Sequence, residues 1–215
     1  VICTNSFPFV HEGDTSQSTQ SDFDSYGCAS GTDESGPEIV YRLTIPNSGF
    51  LALELSDMES GADVDVHLLS DLDADDCIDR GHWLAGSWIS AGTYWVVADS
   101  WVNGAGLALS GAYTLRVGVT TEDDLLAEGM SFDVASDALV AFDVAWLNRE
   151  LDSFLYGVTD FSLHSAERRF WLYDMAGQDL LYNLHIAHGE GSSDTSDSSY
   201  ASTFSNITDS HQSSL

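Results

Sequence analysis

Three kinds of side chain in this sequence could carry chemistry: the thiols of Cys3, Cys28 and Cys77, the carboxylates crowded between Asp63 and Asp76, and the imidazoles and hydroxyls of the tail from His188 to Leu215. The cysteines lie in the loop-rich first half without a Cys-x-x-Cys spacing, which argues against a zinc knuckle or a thioredoxin-like dithiol. One disulfide plus one free thiol is the simple reading, and it implies an oxidising compartment. Cys3 with Cys28 is the preferred pair, with Cys28 to Cys77 left open. Asp63 and Asp65 alternate onto one face of a strand, and Asp71, Asp73, Asp75 and Asp76 crowd the loop after it. Calcium takes such oxygen clusters. The Asp71, Asp73, Asp75 spacing imitates the start of an EF-hand loop, but Asp76 stands where that loop needs Gly and His82 where it needs a bidentate Glu. The candidate calcium ligands are therefore a looser set, Asp63, Asp65, Asp71 and Asp73, weighed against a plain solvated acidic loop. His67, inside a strand, reads as a hydrogen-bonded structural histidine. No Ser, His and acidic residue fall in a G-x-S-x-G frame, and no nucleotide-binding motif occurs.

The elements that must position these groups are legible from periodicity. Residues 1 to about 37 are rich in Ser, Thr, Asp and Gly and should form an irregular segment with short strands, tied down by cysteines. From Glu38 the pattern alternates: Ile39–Ile45, a turn at Pro46–Gly49, then Phe50–Leu55, followed by β runs at Val64–Leu69, Trp83–Ile89, Thr93–Ala98 and Ala112–Val119. Short strands at this spacing predict a β-sandwich over residues 1–120. A second, mixed domain is expected over 121–215. It would open with an acidic connector at Glu122-Asp123-Asp124 and a helix over about 136–151, with Ala138, Leu139, Phe142, Ala145 and Trp146 on one face and Ser136 or Asp137 as cap. Strands follow from 155 onward, at Tyr156–Leu163, Arg169–Tyr173 and Leu180–Ala187.

Composition bounds the partners. Thirty-five acidic residues face six arginines and no lysine, a formal charge of -29, so nucleic acid and anionic membrane surfaces are repelled. A surface of this charge suits a salt-rich medium, where screening weakens self-repulsion. The 43% apolar content suffices for a packed core, and no run of eighteen apolar residues offers a membrane span. The N-terminus lacks the charged and apolar regions of a signal peptide, so any leader is expected to have been removed.

Two resemblances sharpen this. The order "EIVYRLTIPNSGFLALELS", "VDVHLLS", "ISAGTYWVVADSW", "SGAYTLRV" resembles the bacterial pre-peptidase C-terminal domain, a small jelly-roll-like sandwich attached to many secreted hydrolases. That resemblance implies a non-catalytic module for adhesion, secretion or processing. From Leu155 the chain resembles the opening of the YkuD-type murein L,D-transpeptidase catalytic domain, in the branch marked by a "HG-x-GS" strand end, here His188-Gly189-Glu190-Gly191-Ser192. The same branch carries an "FSN-x-x-x-SHQSSLG" loop, here Phe204 to Leu215. In that family a cysteine attacks the acyl-donor stem peptide of peptidoglycan, a histidine is its base, and an acceptor amine resolves the thioester. The resemblance implies that His188, Gly189, Ser205, Asn206, His211, Gln212, Ser213 and Ser214 line the substrate groove. It also implies that the nucleophilic Cys and its His lie after Leu215, because Cys3, Cys28 and Cys77 are all outside the matching region. Residues 1–215 alone should then be inactive. Arg168 or Arg169 could pair with a stem-peptide carboxylate or with the abundant Asp, and Asn206-Ile207-Thr208 is an idle glycosylation sequon.

The expectation is thus a mainly β, exported bacterial protein: a jelly-roll-like sandwich followed by part of an L,D-transpeptidase-like domain with one helix. It needs no cofactor, calcium apart, and takes peptidoglycan stem peptides, with the remaining C-terminal fragment or a second copy as further partner. The alternative is a non-catalytic adhesion or assembly protein.

Overall fold

The computed structural model describes residues 1–213. Strand occupies 38% of the chain and helix 16%, in three sheets, so the mainly β class expected from the alternating runs is what forms. The chain divides into two compact units, Val1–Phe154 with Met175–Gln178, and Leu155–Asp174 with Asp179–Leu215.

The first unit holds β1 (Ile2–Thr4), β2 (Phe9–Asp14), β3 (Glu38–Ile45), β4 (Gly49–Ser56), β5 (Val64–Leu69), β6 (Cys77–Gly81), β7 (Leu84–Ile89), β8 (Gly92–Ser100) and β9 (Ala112–Thr120), then α1 (Glu122–Ala127) and α2 (Phe132–Leu147). One sheet has the order β1-β3-β8-β5-β6 and the other β2-β9-β4-β7; β1 runs parallel to β3 and every other pair is antiparallel. Alternation sends Tyr41, Leu43 and Ile45 of β3, Leu51, Leu53 and Leu55 of β4, and Val64, Val66 and Leu68 of β5 into one shared core. Each such burial contributes about 2 kcal/mol. β5 is buried along its whole length because its other face is covered too: Leu69 packs with Tyr26, Val40 and Val97, against which Phe23 and Trp95 also lie. The N-terminal segment supplies that cover.

The disulfide that ties it down joins Cys28 to Cys77, while Cys3 is free and exposed. The preferred pair, Cys3 with Cys28, is therefore corrected. β1 pairs with β3 and places Cys3 opposite Arg42, whereas the short turn Gly27–Ala29 sets Cys28 against the first residue of β6.

Helix α2 covers the outer face of the second sheet. Phe50 of β4 meets Phe142 and Trp146 edge-on, with ring centroids 4.8 and 6.0 Å away, and Phe154 stacks on Trp146 at 4.9 Å. The helix begins four residues before the expected 136, because Ser131 is the cap: its Oγ accepts the Val134 N–H. It ends at Leu147, and Arg149, at φ 57°, is in the left-handed region that terminates helices. The acidic connector is itself helical. Thr121 and Asp124 form a reciprocal capping box, and three acids in the first turn complement the helix dipole.

The core also carries a buried polar pair. The Tyr41 and Tyr113 hydroxyls are 2.7 Å apart, and His11 Nδ1 is 3.0 Å from Tyr41 Oη. Burial pushes the Tyr41 phenol up to about 12, and burial first, with Tyr41 beside it, also raises Tyr113. A phenol held protonated by the fold stabilises fully below its unfolded value of 10.0, and that stability is lost as pH rises through about 12. Tyr41 alone should remove roughly 3 kcal/mol across that window. Of the eight tyrosines, Tyr26, Tyr41 and Tyr113 are expected to ionise only as the fold is lost, read from absorbance at 295 nm beside circular dichroism. Reversible titration of all eight near 10 with unchanged ellipticity would refute this.

The second unit is a meander of β10 (Leu155–Thr159), β11 (Phe170–Asp174) and β12 (Asp179–Leu184), antiparallel, with a register shift at Leu172/Tyr173. Beyond Leu184 the chain is irregular, pinned by bridges between Ser193 and Ala201 and between Phe204 and Ser213.

Candidate functional site

In the second unit, two loops named by sequence interlock. Gly189 N–H donates to Ser213 Oγ (2.8 Å), Gly191 N–H to the His211 carbonyl (2.8 Å), and Ser213 N–H to Ser192 Oγ (2.7 Å). Ser205 N–H closes the set by donating to the Ser213 carbonyl at 3.1 Å. The two backbones approach so closely that a Cβ at Gly189 would be 2.5 Å from the His211 carbonyl oxygen, and one at Gly191 would be 2.9 Å from that of Ser210. Only glycine fits at either position.

Arg169 anchors this assembly. It is fully buried, donating Nη1 to the Leu163 carbonyl (2.7 Å), Nε and Nη2 to the Ile186 carbonyl (3.1 and 3.0 Å) and Nη2 to His188 Nδ1 (2.9 Å). A guanidinium has no lone pair to offer, so His188 Nδ1 is the acceptor, and the proton of the neutral ring sits on Nε2, 3.2 Å from Ser193 Oγ. Both ring nitrogens of His188 are thereby engaged inside the unit, and the ring serves as a strut. Arg169 is spoken for by main chain and imidazole, whereas Arg168 is exposed. Sequence reading missed the burial of Arg169, although a signal existed: Trp171 and Tyr173 are the buried positions of β11, and Arg169 shares their parity.

Of the remaining residues assigned to the groove, His211 is exposed with φ 58°, Gln212 reaches Thr203 Oγ1 at 3.5 Å, Ser205 Oγ accepts the Ile207 N–H, and Asn206 is exposed. Ser214 lies outside the described residues. In the turn between the loops, Asp194 accepts from Ser196 Oγ, Ser196 N–H and Asp197 N–H, which holds its carboxyl down at about 2.

A family model matches part of the second half of the chain. Residues 126–215 match the L,D-transpeptidase catalytic domain. The matched segment takes in α2, the three-stranded meander and both interlocked loops, and it contains no cysteine. Among solved structures, the pre-peptidase C-terminal domain of a collagenase from Bacillus anthracis is similar at 14% identity and a TM-score of 0.36, over 54% of this chain and 92% of that one. No curated protein matches. No helix among the described residues is long and apolar enough to cross a membrane.

The acidic residues proposed for calcium separate into two places. Asp71 Oδ1 takes its neighbour Leu72 N–H and Asp73 Oδ1 caps the turn at Ala74–Asp76, while Asp63 and Asp65 flank the start of β5, a strand of six residues spanning about 20 Å. The four therefore do not converge. Asp63 Oδ1 and Asp65 Oδ1 instead each lie 3.0 Å from His82 Nδ1.

Behind Asp65 lies a buried polar layer beneath the N-terminal segment. Arg80 Nη2 pairs with both Asp65 Oδ2 and Glu34 Oε1, and Tyr26 Oη donates to Asp99 Oδ2 at 2.6 Å. Burial, then the charge of Asp65, raises Glu34, and burial raises Asp99 to about 8. Burial also lowers His67 to about 3, so it is neutral, stacked on Tyr26 at 3.6 Å. Its ring is held between the Tyr26 stack and the Val97 main chain, with Nε2 3.9 Å from Glu34 Oε1, as suits a structural histidine.

Proposed function

We propose that the second half of this chain is scaffold and groove of a murein L,D-transpeptidase acting on peptidoglycan stem peptides at the cell envelope of a bacterium, with the sandwich as an accessory module. What supports the reading is the match over residues 126–215, within which the two glycine-dependent loops are cross-bonded and carry exposed polar groups at Asn206 and His211. In the reaction, a thiolate attacks the donor peptide's carbonyl carbon, the donor's terminal residue leaves as an amine, and a thioester forms. An acceptor amine then displaces the thiolate to make the new amide. The thiol comes from residues outside 126–215, since that segment holds no cysteine, and His188 is not its base, because both its nitrogens are engaged by Arg169 and Ser193. His188 positions the first loop through Arg169, and the second loop lines the acceptor or donor peptide.

The test is the intact mass and C-terminal peptide map of the native polypeptide, with a thiol-reactive probe and a muropeptide exchange assay. A continuation or tightly held fragment bearing a labelled Cys, with exchange activity, is expected. Residues 1–215 alone should show no turnover. A native polypeptide that ends near 23.3 kDa, with nothing bound and no exchange, would overturn the reading. It would favour a non-catalytic adhesion or assembly protein, for which the exposed Leu181, Tyr182 and Leu184 of β12 offer a contact surface.

A further inference from the structure

We propose that Asp63, Asp65 and His82 form a site for a divalent transition-metal cation of the zinc type, built into the edge of the sandwich. The register of β5 and β6, with Val66 opposite Gly81 and His67 opposite Arg80, brings His82 alongside Asp65, and the two-residue period of a strand puts Asp63 on the same face. One oxygen of each carboxylate and one imidazole nitrogen all lie within 4.8 Å of one another, with both Oδ1 atoms 3.0 Å from Nδ1. Donors held tetrahedrally about 2.0–2.1 Å from a zinc ion are about 3.3 Å apart, so seating an ion asks the two 3.0 Å N···O pairs to open by a few tenths of an ångström and the carboxylate oxygens, within 4.8 Å of each other, to take up the same spacing.

The donor types choose the metal. Calcium takes six to eight oxygens, whereas an imidazole with two carboxylates suits zinc and its neighbours. Without a cation, one N–H must serve two carboxylates that repel each other. The surroundings are those of a supported site. Arg80 holds Asp65 by its other oxygen, Oδ2, leaving Oδ1 presented to His82. Glu34, fully buried, is bridged to Asp65 by the same guanidinium. Thr32 and Trp101 complete an open cleft of about 240 Å³ with Asp63, Asp65, Arg80 and His82, which gives an ion an entry path and room for a water ligand.

The experiment is calorimetric titration of the full chain with zinc chloride after chelator treatment, at pH 7.5. One equivalent is expected, undisplaced by excess calcium, and weakened by on the order of 10–100-fold or more in His82→Ala and Asp63→Ala. Asp71→Asn with Asp73→Asn should change nothing, which separates the site from loose attraction to a polyanion. The side chains of Asp63 and His82 are 30% and 42% exposed, so their removal should leave the fold intact, checked by circular dichroism. The visible spectrum of the wild-type cobalt(II) form reports imidazole ligation independently of any variant. Uptake of several equivalents insensitive to His82→Ala, displacement of zinc by calcium, or no uptake would each overturn the proposal.

Discussion

Arg169→Met is expected to unfold the second unit, exposing the amides of residues 156–213 to exchange while those of the sandwich strands keep their protection. The guanidinium makes four hydrogen bonds, to the Leu163 carbonyl, twice to the Ile186 carbonyl and to His188 Nδ1, and lies 5.2 Å over the Phe161 ring. Methionine keeps the volume and loses every donor. Two carbonyls and a ring nitrogen would be left without their donors, at about 1–3 kcal/mol each. The apolar residues buried in this unit are few, Val158, Trp171 and Tyr173 among them, so a loss of that size rivals the stability they supply. Arg169→Lys should fail nearly as badly, because one ammonium cannot span three acceptors fixed in a fork. Hydrogen exchange followed by mass spectrometry decides it. Unchanged protection across 185–213 in Arg169→Met would sink the anchoring role.

Reducing the Cys28–Cys77 disulfide, or replacing both residues by Ser, should cost about 4 kcal/mol of sandwich stability, because the closed loop spans 49 residues. The urea midpoint should fall accordingly. The bond clamps the N-terminal segment over Leu69, Val97 and the buried acids Glu34, Glu38 and Asp99, so its loss also admits water to groups the fold keeps dry. In the native protein a thiol reagent should label Cys3 alone. Labelling at Cys28 or Cys77 without reductant, or an unchanged midpoint in the double Ser variant, would contradict this.

How much of this was legible depended on whether the signal was local. β3, β4, β5, β7, β8 and β9 could be read to within two residues because each alternates or is continuously apolar between turn residues. β6 was missed, since Cys77-Ile78-Asp79-Arg80-Gly81 carries a buried acid whose partners are distant: Asp79 accepts from Gly86 N–H, Trp146 Nε1 and Arg149. The helix was placed late because Ala138 to Trp146 advertise the apolar face, while the start is set by Ser131, outside that stripe. For the candidate groove, the loop motifs were plain in the letters. Which nitrogens, carbonyls and glycines they bond was not, because those partners lie about twenty residues apart and only folding brings them together. His82 was considered for calcium only as a misfit in an EF-hand; pairing of β5 with β6 is what sets it beside Asp63 and Asp65.

The covering of Phe50 by Phe142, Trp146 and Phe154 has a consequence for how such a chain can be inherited. A recombination breakpoint at the end of the last sandwich strand would look natural by sequence, yet it would strip three aromatic rings from the sheet and leave Phe50 facing water. Four residues of the later hairpin, Met175–Gln178, also count with the first unit, where Gln178 Nε2 donates to the Val119 carbonyl. The sandwich strands therefore do not make up the whole of the first unit, whose cover comes from residues later in the chain. Any new pairing of the sandwich would have to rebuild the aromatic cover over Phe50 and the Gln178 contact.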